Sequence, residues 1–459
     1  MNRRHFLGQM SCAAVTATPL LSTLLNLRMA NAAVVPGADS EDYKALVCFF
    51  LAGGNDSFNM LVPSGSSEYA QYAQTRSNMS LAQNTLLPLN GVHQGRNFGL
   101  HPGMAGLQNL FNQGRAAFVS NVGTLVEPVT LARFQSEQAK LPQGLFSHAD
   151  QIMHWQTSVP DQRSALGWGG RMADLLHASN QQSNISMNIS LDGSNRFQTG
   201  SQTVSYEIEA SGNGAITLQP YLDGDDPVLA SLGQTAINNL MDAEYSNLFE
   251  KSFAQKTKDS LAAAEQFSSA VAGKTLQTTF SANNVSQAFQ MVARTIAARQ
   301  ELGMRRQTFF VMFGGFDHHD ELLNSHGSMM PVVSQALTEF DTAMTELNVN
   351  DKVTTFTASD FARTLTSNGK GTDHGWGSNQ IVTGAAVNGG QIYGSYPELY
   401  LGSPLDTGRG RLIPTLSTDE YFAELARWFG VPDADLDKVF PNIGRFHNIS
   451  SGAPVGFMK

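Results

Sequence analysis

Lys44-Ala-Leu-Val-Cys-Phe-Phe-Leu51, followed at once by Ala52-Gly-Gly-Asn-Asp56, is the stretch from which the fold can be read. A short apolar run with no polar alternation, stopped by two glycines, predicts a strand buried on both faces, as in the interior of a parallel sheet. Its carboxyl end then presents Asn55 and Asp56. The pattern recurs in Ala116-Ala-Phe-Val-Ser-Asn121, in Thr308-Phe-Phe-Val-Met-Phe313 before Gly314-Gly-Phe-Asp317, and in Lys352-Val-Thr-Thr-Phe-Thr357 before Ala358-Ser-Asp360. Gln380-Ile-Val-Thr-Gly384 is a further expected strand. Helical spacing lies between them, over Met104–Gln113 and Val332–Leu347. Strands alternating with helices predict an α/β protein: a three-layer αβα sandwich on a mostly parallel sheet. Residues 240–305, rich in Ala, Gln, Ser and Lys, read as a helical insertion, and 186–220 as a small β excursion.

The amino-terminal residues Asn2-Arg-Arg-His-Phe-Leu7 resemble a twin-arginine export signal, with a weakly apolar stretch behind it and Ala30-Asn-Ala32 as the cleavage site. The expected organisation is a signal peptide over 1–32, a linker over 33–42 and a single domain over 43–459. The apolar stretch is interrupted by Ser, Thr, Pro and Asn, so no stable transmembrane segment is expected once the signal is removed. Removing 1–32 takes away Arg3, Arg4 and Arg28 and no acid, so 29 basic residues become 26 against 39 acidic ones, a net charge of −13. Nucleic acid is therefore excluded as an expected partner. Cys48 remains as a single cysteine, so stability must come from packing rather than from an internal disulfide.

Three strand ends deliver an acid: Asp56, Asp317 and Asp360. Ligands of open α/β sheets gather at the carboxyl ends of strands, and crowded carboxylates need a positive partner. Histidines accompany these acids, in Asp317-His-His319 and in Gly371-Thr-Asp-His-Gly375. Carboxylate and imidazole together suit Zn or Mn, or Mg or Ca where histidines are fewer. Taken singly, a strand-end Asp usually caps a helix or holds a loop. The repetition is what points to a divalent metal ion.

Leu51-Ala-Gly-Gly-Asn-Asp56 with Asn59, Leu100-His-Pro102, Phe313-Gly-Gly-Phe-Asp-His-His319, Ser359-Asp-Phe-Ala-Arg-Thr364 with Asn368, and Gly371-Thr-Asp-His-Gly375 resemble the DUF1501 proteins. Gly167-Trp-Gly-Gly-Arg171, Gly408-Arg-Gly-Arg-Leu-Ile-Pro414 and Trp428-Phe-Gly-Val431 fit the same pattern. These are exported bacterial proteins similar to the alkaline phosphatase and sulfatase superfamily. The resemblance implies an alkaline-phosphatase-like fold, with Asp56, Asp317, His319, Asp360, Asp373 and His374 as metal ligands. It implies Ser147, at the start of a helix, as nucleophile, with Ser57 second, and His148 and Arg363 steadying an anion. The superfamily has Asp-His where this chain has Asp360-Phe361, so one imidazole is missing from the pattern.

The expected function is a periplasmic or secreted, metal-dependent hydrolase of phosphate or sulfate esters, acting on an anionic small molecule or polysaccharide ester. The alternative is a non-catalytic exported protein of the same fold that binds a glycan or a protein partner at the cell surface.

Overall fold

The computed structural model describes residues 42–180, 185–216 and 227–459. The expected signal peptide and nearly all of the expected linker lie outside them. Among the described residues, nine strands form the central sheet: β1 (Lys44–Ala52), β2 (Ala116–Gly123), β3 (Asn188–Ser190), β4 (Tyr206–Glu207), β5 (Arg306–Gly314), β6 (Val353–Ser359), β7 (Ser378–Thr383), β8 (Ile392–Gly394) and β9 (Leu416–Ser417). Their order is β8-β2-β7-β6-β1-β5-β3-β4, with β9 also pairing β2. Every pairing is parallel except those of β7, which runs antiparallel to both β2 and β6. The sheet is thus mostly parallel, as the apolar runs predicted. Within the small β excursion expected over 186–220, β3 and β4 extend one end of the main sheet, β4 forming its edge.

Successive side chains of a strand point to opposite faces, and β1 shows where each face goes. Phe49 packs edge-on against Phe289 at 5.1 Å, and Phe289 meets Phe340. These rings belong to α4 (Asn284–Ala297) and α5 (Leu322–Glu346), which with α1 (Ala105–Asn112) form one helical layer. Phe50 points the other way, and its contact with Phe310 continues through Phe197 to Trp168. Trp168 opens α3 (Trp168–Leu176), which packs with α2 (His148–Thr157) and stacks on Phe422 of α6 (Thr418–Phe429) at 4.6 Å. Each fully buried ring contributes roughly 1.5–3 kcal/mol.

Local sequence explains the helix starts. Asn283 accepts from the Ser286 N–H and begins α4, whose Val285, Phe289, Val292 and Ile296 share one buried face. Ser417 and Glu420 form a reciprocal capping box at α6. Helix α5 begins ten residues before the expected Val332 and carries Pro331 inside it. The helical region expected at 240–305 starts earlier, with helices at Pro227–Asp242 and Leu248–Val271 preceding α4. None of the described helices is long and apolar enough to cross a membrane.

Candidate metal centre

The register of β1 brings the acid-bearing loops together. Leu51 lies opposite Phe313 on one side and Ser359 on the other, so the turns after β1, β5 and β6 leave the sheet at one level. Because β7 is antiparallel, its amino-terminal end lies at that same edge, and His374, four residues before it, arrives there too. Gly53 makes the approach feasible. It has φ +115°, and a Cβ on it would stand 2.6 Å from the Asp317 backbone nitrogen.

Three imidazoles surround Asp317. His148 Nε2 lies 3.4 Å from its carboxylate, His319 Nε2 3.0 Å and His374 Nε2 3.3 Å, while His319 and His374 Nε2 are 3.1 Å apart. His148, Asp317 and His374 each offer a ligand atom, and these atoms all lie within 4.8 Å of one another. The other ring nitrogens are engaged. His148 Nδ1 donates to Asp360 Oδ2 (2.7 Å), His374 Nδ1 to the Phe146 carbonyl (2.8 Å) and His319 Nδ1 to Asp373 Oδ1 (3.1 Å). Carboxylates and carbonyls only accept, so each Nδ1 carries the proton and each neutral ring turns a lone pair on Nε2 toward Asp317.

Arg363 already donates to Asp317 Oδ1 at 2.6 Å, but the three Nε2 lone pairs still face one another and the carboxylate. That arrangement is relieved when an imidazole takes a second proton or a metal ion is bound. In a tetrahedral site with ~2.0–2.1 Å bonds, neighbouring ligand atoms stand about 3.3–3.4 Å apart, close to the spacings here. Locking Nδ1 to a carboxylate or carbonyl is how proteins orient metal-binding imidazoles. The residues therefore fit a metal ion. The side chains of Asp317, His319, His148 and His374 are 42, 44, 33 and 22% exposed, so the centre is open to solvent.

Electrostatics around it are uneven. Burial alone would raise the Asp317 carboxyl, but the hydrogen bond and charge of Arg363, with His319 and His148, hold it below its ordinary value. Its hydrogen bond to Asp360 raises His148, whereas burial lowers His374. Phe361 supports both rings, stacking on His374 at 4.5 Å and meeting His148 at 4.8 Å. His148, from a helix distant in sequence, is the imidazole that Asp360 holds.

The other expected site residues lie around this group. Asp56 is not in this group: it is fully buried in an ion pair with Arg76, which also donates to the Thr364 carbonyl. Asp360 and Asp373 hold imidazoles from outside; Asp360 also accepts from Gly53 N–H at 2.9 Å, and Asp373 pairs with Arg409. Arg363 is fully buried, its N–H groups directed at Asp317, Thr372 and the Gly53 carbonyl, so it orients Asp317 and has no exposed face for a substrate. Ser57 is also buried, with its hydroxyl accepting from Asn379 N–H. Ser147 stands one residue before His148 as the first residue flanking α2, half-buried, its hydroxyl making no capping bond. His318, between Asp317 and His319, turns inward and is buried.

His148, expected to steady an anion, has its Nε2 among the atoms that face Asp317. The available signal was its position at a helix start beside the expected nucleophile. Arg409 and Arg411, for which the sequence pattern of Gly408-Arg-Gly-Arg411 gives no role, also stand beside the group.

No curated protein matches the chain by sequence. By structure the chain is similar to Ps i-CgsB in complex with k-i-k-neocarrahexaose, at 9% identity over 89% of this chain and 77% of that one, with a TM-score of 0.34. The PsFucS1 sulfatase from Pseudoalteromonas sp. is similar at 9% identity over 85% and 68%, TM-score 0.35. The lipoteichoic acid synthase LtaP from Listeria monocytogenes is similar at 8% identity over 85% and 82%, TM-score 0.29. Residues 43–406, which carry every residue of the centre, match the family described as Protein of unknown function (DUF1501), and the chain belongs to that family.

Proposed function

We propose that this protein is an exported, metal-dependent hydrolase of phosphate or sulfate esters. The reading is carried by the convergence of three Nε2 lone pairs on Asp317, each imposed by an acceptor on the opposite ring nitrogen. Three imidazoles and one carboxylate favour zinc or manganese over magnesium or calcium. When bound, such an ion supplies Lewis acidity toward an ester oxygen. His148, Asp317, His319 and His374 would hold it, while Asp360, Asp373 and the Phe146 carbonyl keep the imidazoles turned inward. Arg363 holds Asp317 in place.

Ser147 is the nucleophile in this reading. Its hydroxyl is free of capping duty, and it borders the amino terminus of α2, where unpaired N–H groups favour an incoming anion. The solvent-open rim suits an anionic small molecule or a polysaccharide ester. The Arg3-Arg4 motif supports transport to the periplasm or beyond.

Metal content of protein folded in the cell, with turnover of nitrophenyl phosphate and nitrophenyl sulfate, tests the proposal. Bound metal is expected, with turnover lost in Ser147→Ala at unchanged metal content. Both should be lost in Asp317→Ala combined with His374→Ala. Full turnover in that double variant sinks the centre. Absence of both metal and turnover in the wild type would favour the binding protein.

A further inference from the structure

The reading of this centre leaves an anionic substrate without an obvious recognition group, because Arg363 is enclosed. Two arginines of the Gly408-Arg-Gly-Arg411 segment lie beside it. Arg409 is engaged by Asp373. Arg411 is held differently. Its Nε donates to the His374 carbonyl at 3.1 Å, and its guanidinium lies over the Phe146 ring, 4.7 Å from the centroid. Phe146 in turn accepts from His374 Nδ1 through its carbonyl. The two residues that hold Arg411 are therefore one imidazole of the centre and the residue that orients it.

The segment is built to keep this geometry. Asp406, 8% exposed, accepts from the backbone N–H groups of Gly402, Gly408 and Gly410 at 2.8–2.9 Å. Gly410 has φ +71°, and a Cβ there would meet Leu365 Cβ at 2.4 Å, so the loop is pressed against the protein. With Nε anchored and the guanidinium over the Phe146 ring, Nη1 and Nη2 of half-buried Arg411 make no hydrogen bond among the described residues. A guanidinium held at one nitrogen and over a ring, with two nitrogens unspent, matches a tetrahedral oxyanion, and less side-chain freedom remains to be lost on binding.

We infer that Arg411 is the anion-binding residue at the rim of this centre, receiving the phosphate or sulfate group of the substrate through Nη1 and Nη2. The inference rests on the metal-centre reading for its location, not for its test. Binding of inorganic phosphate and inorganic sulfate is measured by calorimetry on full-length protein, metal-loaded and after chelation, for wild type, Arg411→Ala and Arg411→Lys. Arg411→Ala should weaken oxyanion binding about tenfold or more at unchanged metal content. Arg411→Lys, which keeps the charge but loses the fork, should fall between. The oxyanion bound more tightly by wild type identifies the ester class. Where Arg411→Ala fails to fold, Arg411→Gln, which keeps an N–H for the His374 carbonyl, replaces it. Equal affinity in wild type and variant, or a metal-loaded wild type that binds neither anion, overturns the inference. A protein without metal whose anion affinity still depends on Arg411 would refute the metal centre and uphold the arginine.

Discussion

Asp360→Asn separates a carboxylate that holds a ligand from one that is a ligand. Asp360 has a fully buried side chain and receives two donors: Gly53 N–H at 2.9 Å on Oδ1 and His148 Nδ1–H at 2.7 Å on Oδ2. Asparagine has a single acceptor oxygen, so whichever way its amide sits, its NH2 faces another donor. An unpaired buried donor costs about 1–3 kcal/mol, which is the upper bound on what the folded protein stripped of metal should lose in urea denaturation, since His148 can shift its proton to Nε2 and accept from the amide. The effect on the centre is distinct. If Gly53 keeps the oxygen, His148 is no longer obliged to protonate Nδ1, and Nε2 ceases to be fixed as an acceptor. Losing such an outer partner typically lowers metal affinity 10–100-fold, or about 1.4–2.7 kcal/mol. Zinc affinity, measured by competition with a chelating dye, should therefore fall within that range, while Asp317→Asn, which alters a proposed ligand, should fall further. Unchanged zinc affinity in Asp360→Asn at reduced stability would refute the assignment of His148 as a ligand oriented from behind. Abolished binding would make Asp360 itself a ligand.

Arg76→Met strands Asp56 as a buried, unpaired carboxylate and should cost about 3–5 kcal/mol of stability, with metal stoichiometry unchanged; parallel loss of metal would return Asp56 to the centre. Acid should weaken the fold through His101, which burial pushes down to about 4 while its ring packs against buried His326. The unfolded chain binds this proton below about pH 6.5 and the folded chain does not, so the contribution is complete above 6.5 and lost as pH falls toward 4, at most about 1.4 kcal/mol per pH unit for one proton. His101→Asn, whose oxygen can still accept from Gly103 N–H, should flatten the pH dependence of the urea midpoint in chelator, and parallel curves for variant and wild type would refute the attribution.

The interior of the sheet was legible because strands buried on both faces must be apolar throughout. Lys44–Ala52, Arg306–Gly314 and Val353–Ser359 pair side by side and release Asp56, Asp317 and Asp360 at one edge. The division of labour among those acids was not legible, because a carboxylate at a strand end looks the same whatever neutralises it. The group that each acid faces arrives from elsewhere in the chain. For Asp56 it is Arg76, at the end of an eleven-residue helix with low amphipathicity, where a basic residue reads as ordinary solvated surface. For Asp360 it is His148, 212 residues away, delivered by α2. For Asp317 it is Arg363 together with three imidazoles, one of which arrives only because β7 reverses direction. Phe361, where the superfamily pattern has an imidazole, lies against two imidazoles brought from elsewhere in the chain. Which acid faces a guanidinium and which an imidazole decides where a metal ion can bind. That choice follows from topology and register, which are long-range properties, whereas the acids themselves are marked by local pattern. A residue next to an expected nucleophile, as His148 is, must therefore be weighed as a ligand before it is assigned to the substrate.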